Sequence, residues 1–197
     1  WIMIDRPEKI LINYLYHGEY SLPKNMEYYY ILHSPASQIP YRYQFIKNHI
    51  HKFKNISFIA VSQFVMREAE PFINDNMISV IYNGVDTEYF TLKDVQDNDE
   101  TLELITLSAL EERKGIQLII KALSQMKDLS IHYNIYGNGP YKENLKDLIK
   151  VNNLEKTVFI HRSTGNVKDL LHRSDVYCLP SKGEAFPLGP LEAMSCG

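Results

Sequence analysis

The sequence predicts an α/β protein built on parallel sheet, and three observations carry the prediction. Short aromatic or β-branched runs recur along the chain, each bounded by Gly, Pro, Asn or Ser. Between them lie segments of roughly ten residues with helical spacing of apolar side chains. Strand and helix therefore alternate, which implies right-handed βαβ units. The 197 residues allow one large domain or two modest ones, and 45% hydrophobic content is enough to fill a core.

Tyr28-Tyr-Tyr-Ile-Leu32 reads as a strand that stops at His33-Ser-Pro35. Tyr41 to Phe53 reads as a helix with Phe45, Ile46, His49, Ile50 and Phe53 inward, and Arg42, Lys47, Lys52 and Lys54 on the other side. Ser57-Phe-Ile-Ala-Val61 is the next strand, and Ser62 is placed to cap the helix that follows. Ile78 to Tyr82 is a strand before Asn83-Gly-Val-Asp86, and Asp94–Glu100 reads as acidic loop. Strands are then expected at Leu102–Leu107, Leu129–Tyr136, Thr157–His161 and Val176–Leu179. Helices are expected at Gly115–Met126, with Leu118, Ile119 and Ala122 inward, at Tyr141–Val151 and at Val167–His172. No internal repeat or low-complexity tract interrupts this order.

Composition narrows the function. A net charge of −3 argues against a dedicated nucleic-acid binder. The two cysteines, Cys178 and Cys196, form no metal-type or redox-type pair, which fits a reduced, cytoplasmic setting. No apolar stretch reaches the about 18 residues of a spanning helix. His49 and His51, two apart on a helix, face different directions and are no metal pair. The chain opens on Trp1 and closes on a glycine at the end of a helical run, so a fragment of a longer protein is expected.

The most informative segment is Ser181-Lys-Gly-Glu-Ala-Phe-Pro-Leu-Gly-Pro-Leu-Glu192, which reads as strand, loop and helix with a glutamate at each end of the loop. Glu19 with Glu27 and Glu103 with Glu111 share the spacing, so spacing alone carries nothing. The setting does: in an open parallel sheet, ligands gather outside the carboxyl ends of the strands. Two acceptor-only carboxylates there could hold sugar and ribose hydroxyls.

Several landmarks then fall in one order. They are Val80-Ile-Tyr-Asn-Gly-Val-Asp86, Ala109-Leu-Glu-Glu-Arg-Lys-Gly115, Ile135-Tyr-Gly-Asn-Gly-Pro140, and Asp175-Val-Tyr-Cys-Leu-Pro-Ser181 with Glu184 and Glu192. In these the chain resembles family 4 glycosyltransferases, from about Ser57 onward. The resemblance implies the GT-B fold, two Rossmann-like parallel-sheet domains, both incomplete here. Residues 1–84 would be the C-terminal portion of the acceptor-side domain, and 85–197 the nucleotide-sugar-binding domain, truncated at its C-terminal end. It implies transfer of a sugar from a nucleotide diphosphate sugar to a glycan or lipid-linked acceptor, with retention of configuration. No metal or other cofactor is implied, and the leaving phosphate itself would take the acceptor proton.

Each residue has a task in that chemistry, which is to stabilise charge developing on the leaving diphosphate. Lys114 is a compact positive charge for it, with Gly115 behind. Relatives often carry an arginine five residues earlier, where this chain has Ala109; Arg113 either replaces it or points away. Glu111 and Glu112 read as a solvated face. Glu192, expected at the start of the last helix, matches the ribose glutamate, and Glu184 the one facing the donor sugar. Backbone N–H groups of Phe186, Leu188 and Gly189 could bind hydroxyls and phosphate, while Pro187 and Pro190 cannot donate. His33 matches a histidine beside the reacting sugar, or else is structural. The basic, aromatic Arg42–Lys54 helix could rest on an anionic membrane presenting a lipid-linked acceptor, or be an ordinary amphipathic helix. The alternatives to a transferase are a sugar phosphorylase on the same fold and a catalytically lapsed nucleotide-sugar-binding protein.

Overall fold

The computed structural model describes residues 2–3, 9–12, 26–52, 55–92, 101–126 and 129–197. Two compact units follow one another, Trp1–Asn83 and Gly84–Gly197. The expected Asp94–Glu100 loop, Phe53 and Lys54 lie outside the described residues.

The first unit holds a five-stranded sheet: β1 (Ile2–Met3), β2 (Lys9–Ile12), β3 (Glu27–Leu32), β4 (Ile56–Ala60) and β5 (Ile78–Val80), paired in that order. Only β1 runs antiparallel to its neighbour. Tyr28, Tyr30 and Leu32 of β3 and Ile56, Phe58 and Ala60 of β4 alternate into the core, where Tyr30 and Phe58 meet edge to face at 5.8 Å. Helix α1 (Pro40–His49) starts with proline in its first turn, and α2 (Gln63–Ala69) starts at Ser62, whose hydroxyl accepts from the Val65 N–H at 3.2 Å.

The buried face of α1 differs from the sequence expectation. Tyr43 and Ile46 are buried, while Phe45 and His49 are half-buried and stack on each other at 4.2 Å. Tyr43 wins the inner position because its hydroxyl can donate to the Ser34 carbonyl at 2.7 Å, which satisfies the one polar atom it buries. Lys47 donates to the Pro71 carbonyl and sits over the Phe72 ring, so it packs as well as carrying charge.

The second unit runs β6 (Leu102–Leu107), α3 (Ile116–Leu123), β7 (Ile131–Tyr136), α4 (Lys142–Val151), β8 (Val158–His161), α5 (Val167–His172), β9 (Val176–Tyr177) and α6 (Leu188–Cys196). Its strands are all parallel, in the order β8-β7-β6-β9. The strand β7, Ile-His-Tyr-Asn-Ile-Tyr, shows why the two faces differ. Ile131, Tyr133 and Ile135 point to one side and are fully or almost fully buried, with Leu104, Val158 and the inner faces of α3 and α4. His132, Asn134 and Tyr136 point to the other side. There Glu103 accepts from Asn134 Nδ2 at 2.9 Å and from His132 Nδ1 at 2.8 Å. A carboxylate only accepts, which orients the Asn134 amide and makes His161 Nε2 the donor to Asn134 Oδ1 at 3.0 Å. On that side α5 and α6 cover β6 and β9 through Ile105, Leu171 and Cys196.

Helix α3 corrects a sequence expectation. Ile116, Gln117, Ile120 and Leu123 are buried, whereas Leu118 is 51% exposed and Ala122 faces outward. The segment Ile-Gln-Leu-Ile-Ile-Lys-Ala-Leu is amphipathic, and its inner stripe of Ile116, Ile120 and Leu123, with Ile119 half-buried beside it, follows helical spacing. Gly115, with φ 75°, turns the chain left-handed, and the helix begins at Ile116.

Strand order places the functional end of this unit. From β6 the chain moves outward through β7 and β8 and then crosses back to lay β9 on the other flank of β6. The chain leaves β6 toward β7 on one flank while β9 lies on the other, and in open parallel sheets ligands gather outside the carboxyl ends of strands at such a reversal of order. The loop 108–115 after β6 and the loop 178–187 after β9 both lie there.

Candidate functional site

Beneath the crevice, β6 and β9 are locked by a buried proton chain. Thr106 Oγ1 donates to the Cys178 carbonyl at 2.6 Å, so the Tyr133 hydroxyl must donate to Thr106, at 2.7 Å. Burial holds the Tyr133 phenol well above its ordinary value.

The two loops are in direct contact above it. Lys182 N–H donates to the Arg113 carbonyl at 2.9 Å. A Cβ on Gly115 would lie 2.0 Å from the Pro180 carbonyl oxygen, so only glycine admits this approach. Gln117 Nε2 donates to the Glu112 carbonyl at 2.9 Å and ties the Glu112–Lys114 3-10 turn to α3.

The side chains converge accordingly. Lys114 Nζ lies 2.6 Å from Glu184 Oε1, with side-chain exposures of only 13% and 19%. Two residues separated by seventy positions thus form one half-buried ion pair. Arg113 Nη1 stands 3.9 Å from the same oxygen, while its Nε donates to Glu111 Oε2 at 2.7 Å. Glu111, read from sequence as merely solvated, is therefore an ion-pair partner. It can reach because it is extended (φ −121°, ψ 147°) just before the turn that carries Arg113.

Glu192 requires a correction. Helix α6 begins at Leu188, so Glu192 sits in the second turn rather than at the start. The helix-end dipole then acts on it little, and the dominant influence is burial, which raises its carboxyl above the ordinary range. The open end of α6 belongs to Leu188 and Gly189. First-turn N–H groups have no carbonyl of their own helix to meet, and Pro187 and Pro190 have no N–H, so these two donors are what the end presents. Phe186 lies in the loop just before.

Tyr177 is a residue that sequence reading passed over. Its hydroxyl donates to the Leu107 carbonyl at 3.2 Å, and a Cβ on Gly189 would lie 2.2 Å from it. Burial, then the Glu192 and Glu184 charges, push its phenol up to about 12. Both glutamates therefore lie close enough to Tyr177 for their charges to reach it. Its signal was the glycine two positions into the last helix, which leaves room for a large neighbour. His33 is at the end of β3 in the first unit, where partial burial of its ring holds it below the ordinary imidazole value.

Residues 90–197, more than half of the chain, match the family model of glycosyl transferases group 1. The chain belongs to this family. Among curated relatives, it is 33% identical over 130 residues to the putative colanic acid biosynthesis glycosyltransferase WcaL of Salmonella typhimurium, covering 61% of this chain and 32% of the relative. It is 27% identical over 147 residues to the N-acetyl-alpha-D-glucosaminyl L-malate synthase of Bacillus anthracis, covering 70% of this chain and 39% of that protein. The chain thus spans about a third of the length of these relatives. Among solved structures, Anabaena HepE in complex with UDP and glucose superposes with a TM-score of 0.75 at 21% identity, over 87% of this chain and 51% of that one. Sucrose-phosphate synthase from Thermosynechococcus elongatus gives 0.72 at 18% identity, over 88% and 49%. The fold of this glycosyl transferases group 1 chain is of the GT-B type, with Rossmann-like parallel-sheet units. Among the described residues no helix is long and apolar enough to cross a membrane.

Proposed function

We propose that this chain carries the donor-binding machinery of a retaining, hexosyltransferase-type glycosyltransferase that moves a sugar from a nucleotide diphosphate sugar to a glycan or lipid-linked acceptor. The carrying observation is the Lys114–Glu184 pair at 2.6 Å in the crevice between the β6 and β9 loops. A cation for the diphosphate and an acceptor for sugar hydroxyls stand side by side where an open parallel sheet binds ligands.

In this reading Lys114 neutralises the β-phosphate as the glycosidic bond lengthens, aided by Arg113. The N–H groups of Leu188 and Gly189, with Phe186 before them, take phosphate or sugar oxygens at the helix end. Gly115 lets the lysine loop approach the opposite loop closely enough for one substrate to touch both. Glu184 accepts from donor-sugar hydroxyls and Glu192 from the ribose. The diphosphate charge is met by side chains, so no metal is invoked, and the departing phosphate oxygen accepts the acceptor proton. The first unit would be the acceptor-side remainder, with His33 toward the reacting sugar, and the second the donor domain. We place the reaction on the cytoplasmic side, with Arg42 of α1 facing an anionic membrane surface when the acceptor is lipid-linked.

The test is donor binding. A set of UDP-, GDP- and ADP-sugars is titrated against the chain by thermal shift, since a ligand held only by the folded state raises the melting temperature. One nucleotide class should stabilise it, and Glu192→Ala should weaken that class. No shift with any of them, confirmed by calorimetry, would overturn the reading.

A further inference from the structure

We propose that Glu111 sets donor affinity by competing with the diphosphate for Arg113; this rests on the donor-site reading above. Four charged side chains form an alternating row: Glu111 Oε2 to Arg113 Nε at 2.7 Å, Arg113 Nη1 to Glu184 Oε1 at 3.9 Å, and Glu184 Oε1 to Lys114 Nζ at 2.6 Å. The row sums to zero formal charge. A pocket for a diphosphate needs a positive excess, and this one gains it only when a cation leaves its carboxylate.

The two pairs differ in how readily they part. Lys114 and Glu184 are 13% and 19% exposed, so separating them strands charge in a poorly solvated place. Arg113 and Glu111 are 43% and 39% exposed, and a pair that wet holds weakly. Arg113 is therefore the cation that can change partners. Its planar fork fits a phosphate as well as a carboxylate. From Glu111 the guanidinium needs only to swing about its side-chain torsions toward Glu184, in whose direction Nη1 already lies.

The test is calorimetric titration of the chain with UDP, GDP and ADP at low and high salt. Glu111→Gln and Glu111→Ala should each tighten the best-bound of these by about two- to fivefold at low salt, and by less at high salt. Glu112→Gln deletes the same charge from the same turn but not the Arg113 contact, and should give a clearly smaller gain. In an Arg113→Ala background the Glu111 substitutions should lose their effect. Unchanged affinity in both Glu111 variants, an equal gain from Glu112→Gln, or a gain that survives Arg113→Ala would each overturn the proposal while leaving the donor site standing. A wild-type chain that binds none of the three would instead sink the donor-site reading itself.

Discussion

Gly115 and Pro180 approach so closely that a single methyl group on the glycine would lie 2.0 Å from the proline carbonyl oxygen. This contact seats the lysine loop against the glutamate loop, and it has no slack. Gly115→Ala adds a left-handed backbone penalty of about 1–2 kcal/mol to a backbone clash. We expect it to destabilise the second unit by about 2 kcal/mol or more and to lower donor affinity. Gly165→Ala in the same unit, where a Cβ meets nothing within 4 Å, is the control and should leave urea unfolding nearly unchanged.

Lys114 and Glu184 should behave as one unit. Lys114→Met leaves a half-buried carboxylate without its closest cation, and should weaken nucleoside diphosphate binding roughly ten- to a hundredfold, the range of a lost charge-assisted hydrogen bond. For stability, Lys114→Met with Glu184→Gln should cost less than the sum of the two single changes. Additive unfolding energies would show that the pair contributes no coupling.

Under the proposed reading, Glu192 would combine a binding task with a folding cost. Its carboxyl is raised by burial, so the fold favours the protonated form. The contribution of this group to stability is fully present below the unfolded carboxyl value and is lost as pH rises through the folded one. At neutral pH Glu192→Gln should therefore melt at or above the wild-type temperature while binding donor less tightly. A lower melting temperature across the whole pH range would contradict the burial account.

Tyr177 and Gly189 form the fourth test. Gly189→Ala should push the Tyr177 hydroxyl away from the start of α6 and lower the melting temperature. Adding Tyr177→Phe removes the clashing oxygen and should recover part of the loss. It also leaves the Leu107 carbonyl without that donor, at about 0.5–1.5 kcal/mol. No recovery in the double variant would place the strain elsewhere.

Much of the second unit was legible because its segments carry strong local signals. Strand β6 and helix α5 fall where the pattern of Leu102–Leu107 and Val167–His172 puts them, since both are bounded by polar or turn-forming neighbours. Strands β1 and β2 were not read, being short and set in a stretch without regular alternation. Helix α3 was placed, and Ile119 packs on the core as read, but Leu118 and Ala122 face outward because the inner stripe runs through Ile116, Ile120 and Leu123. In the site, Lys114 and Glu184 were singled out by the family resemblance of their two motifs, and the structure brings their side chains to 2.6 Å. The Glu111–Arg113 pair was not singled out, because residues two apart meet only when one of them is extended, and that is a property of the backbone. Tyr177 escaped for a related reason: its contact with α6 depends on the space a glycine leaves.

The strand order β8-β7-β6-β9 also has a temporal side. As the chain leaves the ribosome, β6, α3, β7, α4 and β8 can close one apolar face from neighbours in sequence, each step joining segments a few dozen residues apart. The Lys114–Glu184 meeting has to wait for β9 to return across them, a closure over seventy positions. By this topology the crevice is expected to close late, and a nascent chain stalled before β9 would be folded in part yet lack the Lys114–Glu184 pair.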